Sequence, residues 1–193
     1  MGIMKTAIII HGAPPEYEYY DPNCPSPSND HWIPWLQKQL LIRDYNAQTP
    51  EMPKCYAPQY STWKRELERF EINKRTVLVG HSCGGGFIAR WLSDNRDLRV
   101  GRVVLVAPWI DPYRTRTSDF FDFEIDPGMA SRTEGLAIFN SDNDAGDIQE
   151  SAYALRDKVK DCYFREFHDY GHFCKENLGS EAFPELLELL IKE

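Results

Sequence analysis

The chain has 193 residues, 42% of them hydrophobic, and a formal net charge of −8. That length suits one domain with a sizeable core and is short for two. The acidic balance argues against a nucleic-acid or anionic-membrane partner, either of which wants a basic face.

Five cysteines, Cys24, Cys55, Cys83, Cys162 and Cys174, form no C-x-x-C pair. The odd count fits reduced thiols in a cytoplasmic protein better than a disulfide framework or a zinc site. No stretch has the apolar length of a signal peptide core or a bilayer span. Met1-Gly2-Ile3-Met4-Lys5-Thr6 matches the loose myristoylation pattern, but the first strand starts within it.

In chain order, residues 5–10 read as a buried strand closed by His11-Gly12-Ala13-Pro14-Pro15. Residues 16–30, rich in Tyr, Pro, Asn and Ser, read as an irregular loop. Trp32, Trp35, Leu36 and Leu40 give residues 31–41 helical spacing, with Pro34 in the first turn and Asn29 or Asp30 as cap. A short strand is expected around Lys54-Cys55-Tyr56, then a helix over 62–70 capped by Ser61. Residues 76–79 and 100–106 are strongly apolar strands. Residues 110–132 mix Tyr113, Phe120, Phe121 and Phe123 with acidic residues, sustain no period, and read as a small lid or long active-site loop. A strand over 135–140, a helix over 147–159, a strand over 162–167 and an amphipathic helix over 181–191 complete the chain. The alternation means a single α/β domain: a parallel sheet with helices on both faces.

The strand Thr76-Val77-Leu78-Val79 runs into Gly80-His81-Ser82-Cys83-Gly84, followed by helical spacing in Phe87-Ile88-Ala89-Arg90-Trp91-Leu92. Strand, sharp turn and helix are the context that makes G-x-S-x-G a nucleophile elbow. The glycines are needed because side chains there would collide with the neighbouring strand and helix. Ser82 then stands at the strand's carboxyl end, with the helix N-terminus facing any oxyanion formed there. The bland alternative is a glycine-rich turn with a capping serine.

A serine hydroxyl needs a base, and the base needs an orienting acid. His172, in His168-Asp169-Tyr170-Gly171-His172-Phe173, has the best setting: Gly171 permits a sharp turn and Phe173 can anchor it. His168 is the spare, and the His81 side chain should point away from the serine. The acid should follow the strand over 135–140, where Asp142, Asp144 and Asp147 compete and two of the three are expected to cap or turn. The order Ser, Asp, His is that of α/β-hydrolases. For the oxyanion hole, Cys83 N–H supplies one donor. Ala13 supplies the other, with Gly12 as alternative, because Pro14 and Pro15 carry no N–H. Trp109, Phe120 and Phe121 are candidate pocket walls, and Tyr17, Tyr19 and Tyr20 hint at an apolar mouth.

These residues resemble the small serine hydrolases of the YdeN and retinoblastoma-binding protein 9 family. The signposts are the opening strand, His31-Trp32-Ile33-Pro34-Trp35-Leu36, Gly80-His81-Ser82-Cys83-Gly84-Gly85, Val106-Ala107-Pro108, Ser141-Asp142-Asn143-Asp144 and Gly171-His172-Phe173. The resemblance covers nearly the whole chain. It implies a six-stranded parallel sheet ordered 2-1-3-4-5-6, a Ser-Asp-His triad, no metal and no cofactor. It also implies Asp144, ahead of Ala145, as the acid. The chain departs from the family in Pro14-Pro15 and the Tyr/Pro insertion after the first strand. Phe70-Glu71-Ile72-Asn73-Lys74 lacks the L-x-C-x-E motif, so the retinoblastoma protein is not implied as a partner. The expected activity is hydrolysis of small esters or amides through an acyl-enzyme. The rival is a non-catalytic binding protein on the same fold. Turnover of a short-chain p-nitrophenyl ester, lost in Ser82→Ala, separates them.

Overall fold

A computed structural model describes residues 4–115 and 118–192. Six strands, β1 (Lys5–Ile10), β2 (Tyr45–Gln48), β3 (Thr76–His81), β4 (Val103–Val106), β5 (Leu136–Ser141) and β6 (Tyr163–Phe167), form one sheet. Its order is 2-1-3-4-5-6 and every pairing is parallel, which is the α/β-hydrolase arrangement. Between and after the strands lie α1 (Glu16–Tyr20), α2 (Ile33–Leu41), α3 (Tyr60–Leu67), α4 (Cys83–Asp94), α5 (Gly146–Lys158), α6 (Lys175–Leu178) and α7 (Pro184–Ile191).

Side chains alternate across a strand, so each strand feeds two cores. Ile8, Ile10, Leu78, Leu105 and Ile138 face Trp63 of α3, Phe87 and Trp91 of α4, and Leu155 of α5. Ala7, Ile9, Val79, Val106 and Phe139 face Leu36 and Leu40 of α2 and Leu186 and Leu190 of α7. β3 and β4 are buried at every position, as their continuous apolar sequence requires. Among the described residues no helix is long and apolar enough to cross a membrane.

The structure corrects several expectations. Residues 54–56 are not a strand. Lys54 has φ +48, the Ala57 N–H closes a turn on the Lys54 carbonyl at 2.9 Å, and Met52 and Cys55 are buried. The second strand is β2 instead, an edge strand whose Tyr45 and Ala47 turn inward while Asn46 stays exposed. Residues 16–30 contain α1 and a 3₁₀ turn, Pro27–Asn29, rather than only loop. α3 starts at Tyr60 after Gln59, with no capping bond from Ser61, and α2 starts after Trp32 without an Asn29 or Asp30 cap.

The candidate lid behaves differently from the expectation. Phe120 and Phe121 are 1% and 6% exposed and pack inward. Phe120 meets Trp63 edge-on at 5.0 Å, and Phe121 meets Trp109 at 5.2 Å. Arg90 lies over the Tyr60 ring at 3.6 Å and donates to the Asp119 carbonyl, while Arg132 and Asp126 pair at 2.5 Å. The described part of residues 110–132 is thus fastened over α3 and α4. Arg116 and Thr117, within the same stretch, lie outside the described residues, as do Met1, Gly2 and Ile3 of the lipidation pattern.

Candidate active site

The elbow starts with steric necessity. A Cβ on Gly80 would sit 2.6 Å from the Gly84 carbonyl oxygen, and one on Gly84 would sit 2.5 Å from the Ile10 and His11 carbonyl oxygens. With both absent, β1, β3 and α4 approach closely enough for the chain to turn within one residue. That residue is Ser82, held at φ +54 and ψ −120. Its backbone is pinned on both sides: Ser82 N–H donates to Val106 O at 2.9 Å, and Ser82 O accepts from Trp109 N–H at 3.0 Å and Gly86 N–H at 3.1 Å. A strained φ held this firmly makes Ser82 a candidate functional position.

The loops after β5 and β6 are joined residue by residue. Asp142 accepts from His168 Nδ1 at 2.6 Å and from the Asp169 N–H at 3.0 Å. Ser141 Oγ accepts the Tyr170 N–H at 3.0 Å, and Asn143 Oδ1 accepts the Gly171 N–H at 2.7 Å. The next step brings His172 Nδ1 to Asp144 Oδ2 at 2.8 Å. The Asp144 side chain is 4% exposed and the His172 side chain 29%. Asp147 lies in the first turn of α5, so of the three competing acids the structure sets Asp144 against His172. Gly171 takes φ +49, and Phe173 is fully buried, stacked on Phe183 at 5.5 Å.

Ser82 and His172 line one cleft of about 510 Å³ with His11, Gly12, Ala13, Pro14, Glu18, Tyr19, His31 and Lys175. Gly12 lies against the serine: a Cβ there would be 3.7 Å from Ser82 Oγ. Cys83 is the first residue of α4 and Ala13 is in the cleft wall, so both expected oxyanion donors border the serine's surroundings. Trp109, Phe120 and Phe121 are not in this wall. Phe120 and Phe121 lack a route to it because the aromatic cluster under α3 and α4 takes them inward, and Trp109 packs among the same core side chains. The wall comes instead from residues 11–33 and 172–176.

Three further histidines, His11, His31 and His81, border the cleft. His11 donates from Nδ1 to Gly12 O at 2.6 Å and accepts the Met52 N–H at Nε2 at 2.8 Å, and burial pushes its pKa down. His31 sits at φ +54, also with a lowered pKa, chiefly from burial. His81 donates from Nε2 to the His172 carbonyl at 2.8 Å. Burial above all, then the neighbouring His172 and His31, hold the His81 pKa well below 6.5, so it stays a neutral donor. Sequence offered no signal for this bond, because the partner is a backbone carbonyl 91 positions away. Cys174, also in the cleft wall, has its thiol pushed up to about 12 by burial first and then by Glu176, Asp144 and Asp30, so it is no thiolate nucleophile.

A family model described as serine hydrolase matches residues 24–192. The Bacillus subtilis protein YdeN is 34% identical over 84 residues, a stretch that is 42% of this chain and 44% of YdeN's length. The crystal structure of the B. subtilis ydeN gene product superposes with a TM-score of 0.79 at 26% identity, covering 97% of each chain. Est1E from Butyrivibrio proteoclasticus shares the fold, with a TM-score of 0.64 at 16% identity over 98% of this chain and 89% of its own. Sequence model, sheet order and elbow agree, and the chain belongs to the serine hydrolase family.

Proposed function

We propose that the protein cleaves small ester or amide substrates, in the manner of a carboxylesterase, through an acyl-enzyme on Ser82. The observation that carries this reading is the His172–Asp144 pair at 2.8 Å, bordering the cleft that holds Ser82 on its strained turn. Ser82 Oγ attacks the carbonyl carbon as its proton passes to His172 Nε2. The tetrahedral oxyanion is received by the N–H groups of Cys83 and Ala13. Collapse breaks the bond to the alcohol or amine, which leaves with the proton from His172. A water then repeats the sequence on the acyl-serine and frees the acid. Asp144 keeps the Nδ1–H tautomer and stabilises the imidazolium.

The wall chemistry narrows the substrate. Glu18, Asp30 and Glu176 outnumber Lys175 in the cleft, which favours a neutral or cationic body over one carrying a second carboxylate. Tyr19 and the prolines Pro14, Pro25 and Pro27 provide the apolar surface.

A fluorophosphonate probe should label Ser82 with one adduct per chain, and a short-chain p-nitrophenyl ester should turn over in the native protein but not in Ser82→Ala. Labelling at Cys83, or none at all, overturns the acyl-enzyme reading in favour of a binding role.

A further inference from the structure

We propose that His31 Nδ1, Cys174 Sγ and a Glu176 carboxylate oxygen form a site for a zinc-class divalent metal ion at the cleft wall, and that filling it shuts the cleft to substrate. The three ligand atoms lie within 4.8 Å of one another, with His31 Nδ1 and Glu176 Oε2 at 3.9 Å. Zinc bonds of about 2.0–2.3 Å put tetrahedral ligands roughly 3.3–3.8 Å apart. The Glu176 side chain, 65% exposed, is free to supply the remaining inward movement of about 1 Å. One imidazole, one thiol and one carboxylate form a nitrogen–sulfur–oxygen set suited to zinc rather than to magnesium or calcium, which take oxygen alone.

Among the described residues, two other clusters of metal-ligating side chains fail where this one stands. In His11, Glu51 and Cys55, the His11 Nε2 lone pair already accepts the Met52 N–H at 2.8 Å and Nδ1 is spent on Gly12 O. In Asp142, His168 and Asp169, Nδ1 of His168 is committed to Asp142 at 2.6 Å, and no sulfur is present. His31 Nδ1, by contrast, accepts one long hydrogen bond among the described residues, from the Lys175 backbone N–H at 3.5 Å, the outer limit of such a bond, with the Asp30 and Glu176 carboxylates at 3.7 and 3.9 Å. The nearest competing cation, the Lys175 ammonium, is held by Asp30 at 2.8 Å. Glu18 and Glu176 leave the wall negative.

Ligation is an acid–base exchange without redox change: the Cys174 S–H bond breaks, a sulfur–metal bond forms, and the proton goes to the buffer. Cys174 Sγ is 3.8 Å from the His172 carbonyl oxygen, and all three ligand residues line the same cleft as Ser82. A bound ion therefore stands in the wall of that cleft and ties the loop of residue 31 to the loop that bears His172. The binding claim stands alone; the inhibition claim rests on the hydrolase reading.

The test uses the intact, reduced chain stripped with a chelator. Cobalt(II), a spectroscopic substitute for zinc, should bind once per chain and give a thiolate-to-cobalt charge-transfer band. Zinc should displace it and release a proton. Cys174→Ala should abolish the band, and His31→Asn, chosen because asparagine tolerates positive φ, and Glu176→Gln should each weaken binding about tenfold or more. Zinc should slow fluorophosphonate labelling of the native chain, reversibly by chelator, and should not slow it in Cys174→Ala. Absence of the band, its survival in Cys174→Ala through another thiol such as Cys24, or native affinity in His31→Asn overturns the site. Should His31→Asn misfold by circular dichroism, native affinity in Glu176→Gln overturns it equally. Cobalt binding with an unchanged labelling rate under zinc overturns the inhibition. A metal-free chain that takes no label overturns the hydrolase reading and the inhibition with it, while the binding result stands.

Discussion

Two histidine–carboxylate pairs stand side by side where the loops after β5 and β6 meet, alike in chemistry and opposite in setting. His168–Asp142 is the shorter contact, 2.6 Å against 2.8 Å for His172–Asp144. Yet its imidazole is 83% exposed and its carboxylate 38%, whereas the His172 pair is 29% and 4% exposed. Water screens the first pair and competes for its hydrogen bonds, and little of its charge reaches beyond itself. The second is shielded, its acid cannot swing away, and its base is also held from behind by His81. Proximity alone does not make a histidine a catalyst. Shielding, and the His81 tether on the His172 backbone, separate two histidines that sequence reading could only rank; His168 has a second carboxylate of its own, Asp169 at 3.1 Å, but in the open.

Removing the charge from each acid in turn is the strongest way to break this contrast. Asp144→Asn keeps shape, loses the tautomer lock, and should lower kcat by about 10⁴ with little change in KM in ester turnover. Asp142→Asn should leave kcat essentially unchanged. If the two exchange behaviour, the working base is His168.

The second tether can be cut on its own. His81→Phe fills similar space but leaves the His172 carbonyl only the weaker Cys174 thiol donor at 3.8 Å, and should cost about 1–3 kcal/mol in denaturant unfolding. It should also lower kcat more than it raises KM, because the base loosens while the cleft wall stays. An unchanged kcat would make His81 a packing residue only.

The smallest effect concerns titration. Asp142 raises the His168 pKa, and His168 lowers that of Asp142. The pair's contribution is present below the ordinary histidine value of 6.5 and lost as pH rises through the raised His168 pKa; at the acid end it is lost as Asp142 protonates. Imidazole NMR should show His168 titrating above 6.5 and returning toward it in Asp142→Asn. His81, buried and donating, should stay neutral to well below 6.5. A His168 midpoint indifferent to Asp142→Asn would break the pairing.

Much of this was legible before any coordinate. β3 and β4 declare themselves because buried parallel strands are apolar throughout, and the elbow glycines because no side chain fits where Gly80 and Gly84 lie. His172 and the competing trio Asp142, Asp144 and Asp147 were reachable through their order after the strands, and the family resemblance pointed to Asp144 among them. The edge strand β2 was hidden because Tyr45-Asn46-Ala47-Gln48 turns only two small or amphipathic side chains inward. Phe120 and Phe121 misled because an aromatic run reads alike whether it walls a cleft or fills a core. What decides is the partner across space, here Trp63 and Phe87. Asn143 was invisible for the same reason: its amide oxygen matters only once Gly171 is beside it.

The stepwise bonding between residues 141–144 and 168–172 makes this pair of loops a ruler. Asp142 reads against His168 and Asp169, Ser141 against Tyr170 and Asn143 against Gly171, and Asp144 meets His172 with those marks already matched. A ruler forgives a smudged mark and not a missing one. Many substitutions here should leave function standing, but inserting or deleting a single residue between 141 and 144 would slide Asn143 or Ala145 into the place of the acid. Variation in loop length, by which such folds acquire new specificities, is therefore barred from this corner.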